Sequence, residues 1–519
     1  MMRVLRLRIW GMSSIITPAG LSNPPDLSMS NSDLLIGIDL GTSAVKGLIV
    51  SADGGILGEA NRTVTFERPV PGVYELDAQT YYRNLCTIIQ ELSACAGNPE
   101  RIKAVSLCAA SGNTVFLGEN REPIRKVISW LDTRTEGKEA DLWPEIKKDY
   151  VHRSAGWPWS GIFPLAHLGW VKKYEPDIWQ RTKYFVMNND YVYYRLCGRL
   201  ATDYSKATTF YLQEQEKQRW NPFFLSYYGI REENLPDLLP SGTAAGFITA
   251  RAAEESGLST GTLVVTGCFD HPAAARSTGI FHEGQLLLSA GTSWVAFAPV
   301  RSRERGIENG MLVDPFLSPE GCWGVMFALT AVGEKIKNLL AACRASVSDG
   351  TSNGDGLYDW FNRLAVQSMP GAEGCFINPM EISAENIPAI LTSGSPQQLA
   401  RALMEGSAYL MKNRIERLES SLERNLERIV MVGGPTGSPV WPNILTDVLE
   451  RPICIPETGA HAGALGAALL AGMGAGIYGN LEEGQKRLSK KETCLKPDKT
   501  NSGLYRDLYH QFKIRCGLN

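Results

Sequence analysis

A hairpin pattern near the start of the chain constrains the fold more than any other feature, because it returns in the second half. Ile36–Val50 reads Ile-Gly-Ile-Asp-Leu-Gly-Thr-Ser-Ala-Val-Lys-Gly-Leu-Ile-Val, so two apolar runs flank an Asp-x-Gly-Thr-Ser corner. This pattern predicts a β-hairpin whose turn exposes backbone N–H groups, two hydroxyls and one carboxylate. The strand, corner and second strand recur at Leu286–Leu288, Gly291–Ser293 and Trp294–Phe297. We therefore expect two homologous lobes that present their turns to one shared ligand.

Length, charge and cysteine content exclude several classes of protein. The 519 residues exceed one ordinary core, and the net charge of −3 without a basic stripe argues against a nucleic-acid partner. No run approaches the ~20 consecutive apolar residues of a membrane span. The eleven cysteines contain no Cys-x-x-Cys pair. We interpret them as small buried hydrophobes in a reducing, cytoplasmic compartment and not as zinc ligands.

The chain divides into an extension and two larger parts. In residues 1–33, three arginines interrupt the apolar residues and a Ser/Pro/Asn-rich run follows, so the apolar core of a secretion signal is missing. We expect this extension to be disordered, or translation to start at Met12 or Met29. Residues 34–280 are predicted to form the first lobe and residues 281–519 the second.

Two patterns in the second part predict structure near a ligand. Ser395 is placed to N-cap a long helix that has proline at its first position, and Gln398 completes a capping box. Arg428–Val432 is then a predicted strand that ends in Gly433 and Gly434. A strand that runs into a glycine pair and a helix commonly brings backbone N–H groups against a nucleotide.

The two Gly-Thr-Ser corners carry the first chemical hypothesis. Turns from two lobes can hold phosphates from both sides through backbone N–H and hydroxyl donors. Asp39, within the first corner, offers a hard oxygen ligand for Mg²⁺. Lys46 is either a positive charge directed at the phosphates or a solvated lysine at a strand end.

Asp270 carries the second hypothesis. It follows the apolar strand Leu263–Gly267 and begins a segment of helical composition. One interpretation makes Asp270 the N-cap of that helix. The other makes it a general base that accepts the proton of a substrate hydroxyl during phosphoryl transfer. The spacing leaves both open, and the neighbouring His271 is interpreted as a packing or hydrogen-bonding residue.

In combination, several motifs resemble the FGGY family of carbohydrate kinases over about residues 34–478. The matching positions are Ile36–Ser43 with Lys46, Trp130-x-Asp132-x-Arg134, Leu196–Gly198 with Asp203 and Ala207, Gly267-x-x-Asp270, Gly291–Ser293, Arg401–Gly406, Gly433–Gly434 with Ser438, and Gly463–Ala468.

The resemblance implies an α/β fold with two actin-like (ribonuclease-H-like) lobes. Each lobe would be a mixed sheet flanked by helices, with the active site in the cleft between them. The first lobe would bind the sugar and carry the base and the first phosphate loop; the second would carry the other phosphate loop and the adenine pocket. The implied activity is ATP- and Mg²⁺-dependent phosphorylation of a sugar or polyol hydroxyl, with Asp270 as the base and Asp39 serving the metal. The nucleotide-binding prediction comprises Gly41, Thr42, Ser43, Lys46, Gly291, Thr292, Ser293, Gly333, Gly433, Gly434 and Ser438.

The acceptor site is the least transferable part of the resemblance. We expect the sugar near Asp270, with Ser111, Asn113 and Thr114 as contacts. Where many members of the family carry Gln-Met-His, this chain has Ala-Ser-Gly at Ala110–Gly112. This altered segment motivates an alternative, a catalytically silent sugar- or nucleotide-binding regulator. An actin-fold ATPase that acts on protein partners is a third hypothesis, and a homodimer is a further expectation.

Overall fold

The computed structural model describes residues 32–347 and 356–518, so the expectation of disorder in residues 1–33 lies almost wholly outside the described residues. The strands are β1 Leu34–Leu40, β2 Ala44–Ser51, β3 Ile56–Thr63, β4 Glu75–Leu76, β5 Ile102–Ala109, β6 Thr114–Leu117, β7 Val127–Ile128, β8 Tyr184–Met187, β9 Ala201–Asp203, β10 Gln213–Glu214, β11 Arg219–Trp220, β12 Asp237–Leu239, β13 Ala244–Phe247, β14 Leu263–Val265, β15 Gln285–Ala290, β16 Trp294–Val300, β17 Leu312–Asp314, β18 Trp323–Leu329, β19 Arg428–Gly433, β20 Ile453–Pro456 and β21 Glu492–Leu495.

Within the same described ranges, no helix has both the length and the apolar character needed to cross a membrane. The helices are α1 Ala78–Ala94, α2 Glu139–Leu142, α3 Lys148–Ala155, α4 Pro164–Tyr174, α5 Pro176–Arg181, α6 Asn188–Cys197, α7 Tyr204–Phe210, α8 Pro222–Tyr228, α9 Ala250–Ser256, α10 Asp270–Ser277, α11 Arg303–Glu308, α12 Val332–Ser346, α13 Leu357–Val366, α14 Ile387–Leu391, α15 Pro396–Leu422, α16 Trp441–Leu449, α17 Ala462–Gly474, α18 Leu481–Leu488 and α19 Lys499–Cys516.

Two large mixed sheets repeat one strand arrangement. In the first, with the order β13-β14-β5-β1-β2-β3, β1 pairs antiparallel with β2 and parallel with β5. In the second, with the order β17-β18-β16-β15-β19-β20-β21, β15 pairs antiparallel with β16 and parallel with β19. Each hairpin predicted from the sequence therefore occupies the same place in its sheet. This repeat confirms the expected two-lobed α/β architecture.

Helices cover both faces of the first sheet. The helix α1 begins after Asp77, whose side chain accepts a hydrogen bond from the Thr80 N–H, and it buries Leu85, Ile88 and Leu92 against the sheet. Helix α17 follows the strands β19 and β20 of the second sheet, yet it packs against the opposite face of the first sheet. Its small residues allow this close approach. The second face of the first sheet is therefore covered by a helix from the C-terminal part of the chain.

The long helix α15 has the capping box that the sequence predicts. The Ser395 hydroxyl accepts a hydrogen bond from the Gln398 N–H at 3.3 Å, and the Gln398 side chain accepts one from the Ser395 N–H at 2.8 Å. The helix then runs through the core of the second lobe and buries Leu403, Leu410 and Leu418.

The interpretation of the cysteines needs a correction. Cys454 and Cys494 form a disulfide between the neighbouring antiparallel strands β20 and β21. Of the nine free cysteines, only four are fully buried, so the expectation of buried free thiols was wrong for much of the set. Strand pairing, which brings two residues 40 positions apart to one place, is the physical reason that spacing alone missed the bond.

Candidate active site

A cleft of about 520 Å³ is lined by both hairpin corners and by the two candidate carboxylates. Four predicted site residues do not line it, namely Asn113, Thr114, Gly333 and Ser438. The predicted residues that line it are Asp39, Gly41, Thr42, Ser43, Lys46, Ser111, Asp270, Gly291, Thr292, Ser293, Gly433 and Gly434.

Asp39 has the environment of a metal ligand. Its pKa is raised to about 6, because burial and, to a smaller extent, the charge of Asp270 together outweigh the lowering effect of Lys46. Gly463, at the start of α17, lies so close that a Cβ there would be 2.7 Å from Asp39 Oδ2. Asp39 Oδ1 is buried and has no hydrogen-bond partner. An unpaired buried carboxylate oxygen is costly, and a hard cation would satisfy it, so this residue fits Mg²⁺.

Asp270 is the first residue of α10 and is not its N-cap. The N-cap is Phe269, and no side chain caps the helix. The Asp270 carboxylate instead accepts a hydrogen bond from the His271 N–H at 2.7 Å, and 24% of its side chain is exposed. Burial raises its pKa to about 7. The N-cap interpretation is therefore wrong, and a carboxylate poised near neutral pH has the property that a general base requires.

The His271 side chain is neutral at pH 7, because burial lowers its pKa to about 4. Its Nε2 lies 3.7 Å from Asp270 Oδ1, so the contact is polar and not an ion pair at that pH. The ring also packs edge-on against Phe269. These contacts match the packing role expected from the sequence.

The first corner is held by an aromatic side chain. Trp130 lines the cleft and donates its indole N–H to Thr42 Oγ1 at 3.1 Å. Asn113 Oδ1 in turn accepts the backbone N–H of Trp130 at 3.0 Å. Lys46 lies opposite Asp39 in the hairpin register, is exposed and lines the cleft. Its ammonium is therefore available to an anionic ligand.

The second corner is held by the start of α12. Ser293 Oγ accepts the N–H of Ala331 at 3.0 Å, and the Gly333 N–H donates to Thr292 O at 2.9 Å. Gly333 thus supports the corner from behind instead of forming part of the cleft lining. The Thr292 side chain and the corner backbone remain on the cleft side.

The strand β19 ends in the glycine pair beside the cleft, as the sequence pattern predicts. Gly433 and Gly434 both line it. Ser438 does not, because its hydroxyl donates to Asn362 Oδ1 at 2.7 Å and accepts the N–H of Trp441 at the start of α16. Its observed contacts fix this turn and do not reach the cleft.

Only one of the three predicted sugar contacts lies on the cleft surface. Ser111 lines the cleft, and its buried hydroxyl has no partner. Thr114 is completely buried and is hydrogen-bonded to His167 Nδ1 at 2.7 Å. Asn113 holds Trp130, as described above. In this structure Asn113 and Thr114 therefore lie behind the cleft surface, inside the first lobe.

Sequence reasoning missed an aromatic wall. The segment between Trp130 and Trp220 is rich in Trp and Tyr. The spacing of these residues has no periodicity that separates aromatics of the core from aromatics of the cleft. The aromatic content of this segment was the available signal, but only the fold determines which of its aromatic residues line the cleft. The aromatic residues from this segment that line the cleft, besides Trp130, are Trp157, Trp159, Phe163 and Tyr211.

Gly112 makes room for one residue of this wall. Its φ is +104°, and a Cβ there would lie 2.8 Å from Phe163 Cδ1. We expect Gly112→Ala to lower the free energy of unfolding by about 1–3 kcal/mol, because it combines backbone strain with overpacking. Urea denaturation measures the loss.

The matched control for this variant is Gly97→Ala. Gly97 also has a positive φ, +69°, but a Cβ there meets nothing within 4 Å. This control therefore carries the backbone cost alone. An equal loss in the two variants would contradict a clash with Phe163.

Two sheets with matching hairpins and one cleft lined by both corners define a two-lobed protein of the actin-like fold. A model of the FGGY family of carbohydrate kinases, N-terminal domain, matches residues 34–276, and the C-terminal domain of the same family matches residues 286–475. The chain belongs to the FGGY family of carbohydrate kinases, and it is a carbohydrate kinase. This result does not support the alternative of a catalytically silent regulator.

Similar proteins span nearly the whole chain. A xylulose kinase from Lactococcus lactis is 25% identical over 92% of this chain and 95% of its own length. An autoinducer-2 kinase from Escherichia coli K12 is 26% identical over 91% of this chain and 92% of its own length. The crystal structure of a xylulose kinase from Rhodospirillum rubrum has a TM-score of 0.77 at 23% identity and covers 93% of this chain and 98% of its own. The structural likeness confirms the fold.

Proposed function

We propose that this chain transfers the γ-phosphoryl group of ATP to a hydroxyl of a sugar or polyol, with Asp270 as the general base. The observation that carries the proposal is the position of a largely desolvated carboxylate, with its pKa raised to about 7, in the same cleft as two Gly-Thr-Ser corners. The name of one group of relatives, xylulose kinase, supports a sugar as the acceptor.

In this proposal each lobe holds one side of the triphosphate. Thr42 and Ser43 from the first corner and Thr292 from the second supply hydroxyl donors, and the corner backbones supply N–H donors. Lys46 adds a positive charge on the side of the first corner. The glycines Gly433 and Gly434 let the backbone of the second lobe approach the nucleotide.

Asp39 would hold Mg²⁺, directly or through water, since its orphaned Oδ1 fits that ion. Bound Mg²⁺ would neutralise charge that develops on the transferred group. The acceptor would lie between Asp270 and the aromatic wall. Asp270 takes the proton from the attacking hydroxyl as the oxygen–phosphorus bond forms, and closure of the lobes would exclude water as a competing acceptor.

A coupled ADP-release assay tests the proposal over ketopentoses, ketohexoses, heptuloses, deoxy sugars, aldonates and polyols. We expect ADP release to depend on both an acceptor from this panel and Mg²⁺. ATP hydrolysis at the same rate with and without every acceptor would contradict a sugar kinase and would favour an ATPase that acts on another partner.

The raised pKa of Asp270 predicts an acid limb in the pH profile. The carboxylate must be ionised to accept a proton, and its pKa is about 7. We therefore expect kcat/KM to fall about tenfold for each pH unit below 7 and to level off above it. The residual activity of Asp270→Asn should lack this limb. A limb that persists unchanged in the variant would assign it to another group.

Three finer predictions concern the location of the protein, the boundary between its lobes and its oligomeric state. We propose a cytoplasmic location, supported by nine free cysteines, although the Cys454–Cys494 disulfide argues the other way. The boundary between lobes near residue 280 and the homodimer stay predictions. Light scattering of the purified protein measures the oligomeric state.

A further inference from the structure

The backbone that leads into the proposed base is held at the residue before it. The peptide group between Cys268 and Phe269 directly precedes Asp270, the first residue of α10. The oxygen of this group accepts the N–H of Ala109 at 3.2 Å. Its N–H donates to Ser205 Oγ at 3.0 Å. Both polar ends of one peptide group are therefore fixed, and the direction in which the chain enters α10 depends on these two contacts.

Ser205 is itself held by a buried carboxylate. It lies in the first turn of α7, and its hydroxyl donates to Asp314 Oδ2 at 2.6 Å. Both side chains are buried. Burial raises the pKa of Asp314 to about 6, so this carboxylate is ionised at pH 7 and accepts the proton. A hydroxyl has a single proton to donate, so the oxygen of Ser205 is left to accept the N–H of Phe269.

Asp314 comes from the second sheet, and the turn that follows it also contacts the far end of α10. Asp314 is the last residue of β17, and its Oδ1 accepts the N–H of Phe316 at 2.8 Å. Arg276, in the last turn of α10, is buried and donates to Phe316 O at 2.6 Å. The two ends of α10 are thus tied to one short segment of the second sheet.

The residue after Ser205 adds a second support. Lys206 is fully buried, lies 3.0 Å from Asp203 Oδ2 and donates to the Tyr193 hydroxyl at 2.9 Å. This hydroxyl accepts the N–H of Gly267 at 2.9 Å. Two consecutive residues of α7 therefore hold, directly or through Tyr193, two backbone N–H groups of the segment that precedes Asp270.

We propose that Ser205, held by Asp314, is a positioning residue for the general base Asp270. The inference rests on the proposed function, since it concerns the base of that same reaction. Ser205 and Asp314 do not line the cleft, so they act through the backbone and not on the substrates. A base must lie within hydrogen-bond reach of the proton it accepts, and a displacement of about 1 Å can cost about 10²-fold in rate.

The first test separates kcat from KM in Ser205→Ala, which removes the acceptor of the Phe269 N–H. We expect kcat for the best acceptor of the panel to fall about tenfold to 100-fold, with the KM for ATP unchanged within about twofold. The matched control is Ser407→Ala. Ser407 is fully buried as well, but its hydroxyl donates to Leu403 O at 2.8 Å within α15. This control should leave kcat unchanged.

The second test asks whether Ser205 acts through Asp270. In the Asp270→Asn background, Ser205→Ala should lower the remaining kcat by less than about twofold, because the group that it positions is already gone. Damage to the phosphate corners or to the whole fold would instead lower kcat by the same factor in both backgrounds. If Ser205→Ala does not fold, Asp314→Asn replaces it, with an expected loss of about threefold to tenfold and the same dependence on Asp270.

The outcomes distinguish this inference from the proposed function. An unchanged kcat in the folded variant, an equal loss in Ser407→Ala, or the full loss in the Asp270→Asn background overturns the positioning role alone. Absence of acceptor-dependent ADP release by the parent, or a normal rate in Asp270→Asn, overturns the proposed function together with it.

Discussion

Replacement of Asp270 by asparagine is expected to lower kcat for sugar phosphorylation by about 10²- to 10⁴-fold. Asparagine keeps the shape of the side chain but cannot accept the proton of the acceptor hydroxyl at neutral pH. The corners that hold the nucleotide are unchanged, so the KM for ATP should change little. Steady-state kinetics with the best acceptor of the panel measure both quantities.

Asp270→Asn is also expected to change how the free energy of unfolding depends on pH. The pKa of Asp270 is about 7 in the folded protein against an ordinary 3.8, so the folded state binds the proton more tightly than the unfolded state. Stability is therefore lost as the pH rises from about 4 through 7. Asp270→Asn avoids this loss, and we expect it to be more stable than the parent by about 4 kcal/mol above pH 7 and equally stable near pH 4. Denaturation at the two pH values measures the difference.

Asp237→Asn is the control for the kinetic measurement, because Asp237 is an exposed carboxylate outside the cleft that pairs with Arg199. It should leave kcat and the KM for ATP unchanged. Near-normal sugar phosphorylation by Asp270→Asn would remove this residue from the mechanism.

Asp39→Asn is expected to lower kcat by about 10²-fold or more, because removal of a metal ligand weakens the stabilisation of charge on the transferred group. The Mg²⁺ concentration required for half-maximal activity should rise as well. Mn²⁺ binding in the presence of ATP, followed by electron paramagnetic resonance, provides a readout that does not depend on turnover. We expect weaker binding in the variant.

The matched control for this variant is Asp53→Asn, which changes an exposed aspartate in the turn after β2, outside the cleft lining. It should bind Mn²⁺ as the parent does. If Asp39→Asn bound Mn²⁺–ATP as tightly as the control, Asp39 would not be a metal ligand.

Much of the fold could be predicted because its signals are local. Alternating and apolar runs around the two Gly-Thr-Ser corners predicted both hairpins, and Ser395 with Gln398 predicted the start of α15. Each of these signals depends on residues a few positions apart, whose backbone conformations and hydrogen bonds follow from side-chain type.

Non-local pairing explains what the sequence did not reveal. The disulfide joins Cys454 and Cys494 only because β20 pairs with β21. Phe163 and Tyr211 lie on one wall only because their segments meet in the folded first lobe. Thr114, close in sequence to Ser111, has its side chain in the interior, because it begins the strand β6, whose four residues are all buried, and is hydrogen-bonded to His167.

The sequence by itself determined the two corners and the candidate carboxylates Asp39 and Asp270, since their residue types and neighbours in the chain carry that information. Only the tertiary structure decided that both corners and both carboxylates line one cleft. It also decided the burial that raises the pKa of Asp270 and the aromatic wall beside it. The reason is physical: desolvation and the lining of a cavity arise from contacts between segments far apart in the chain.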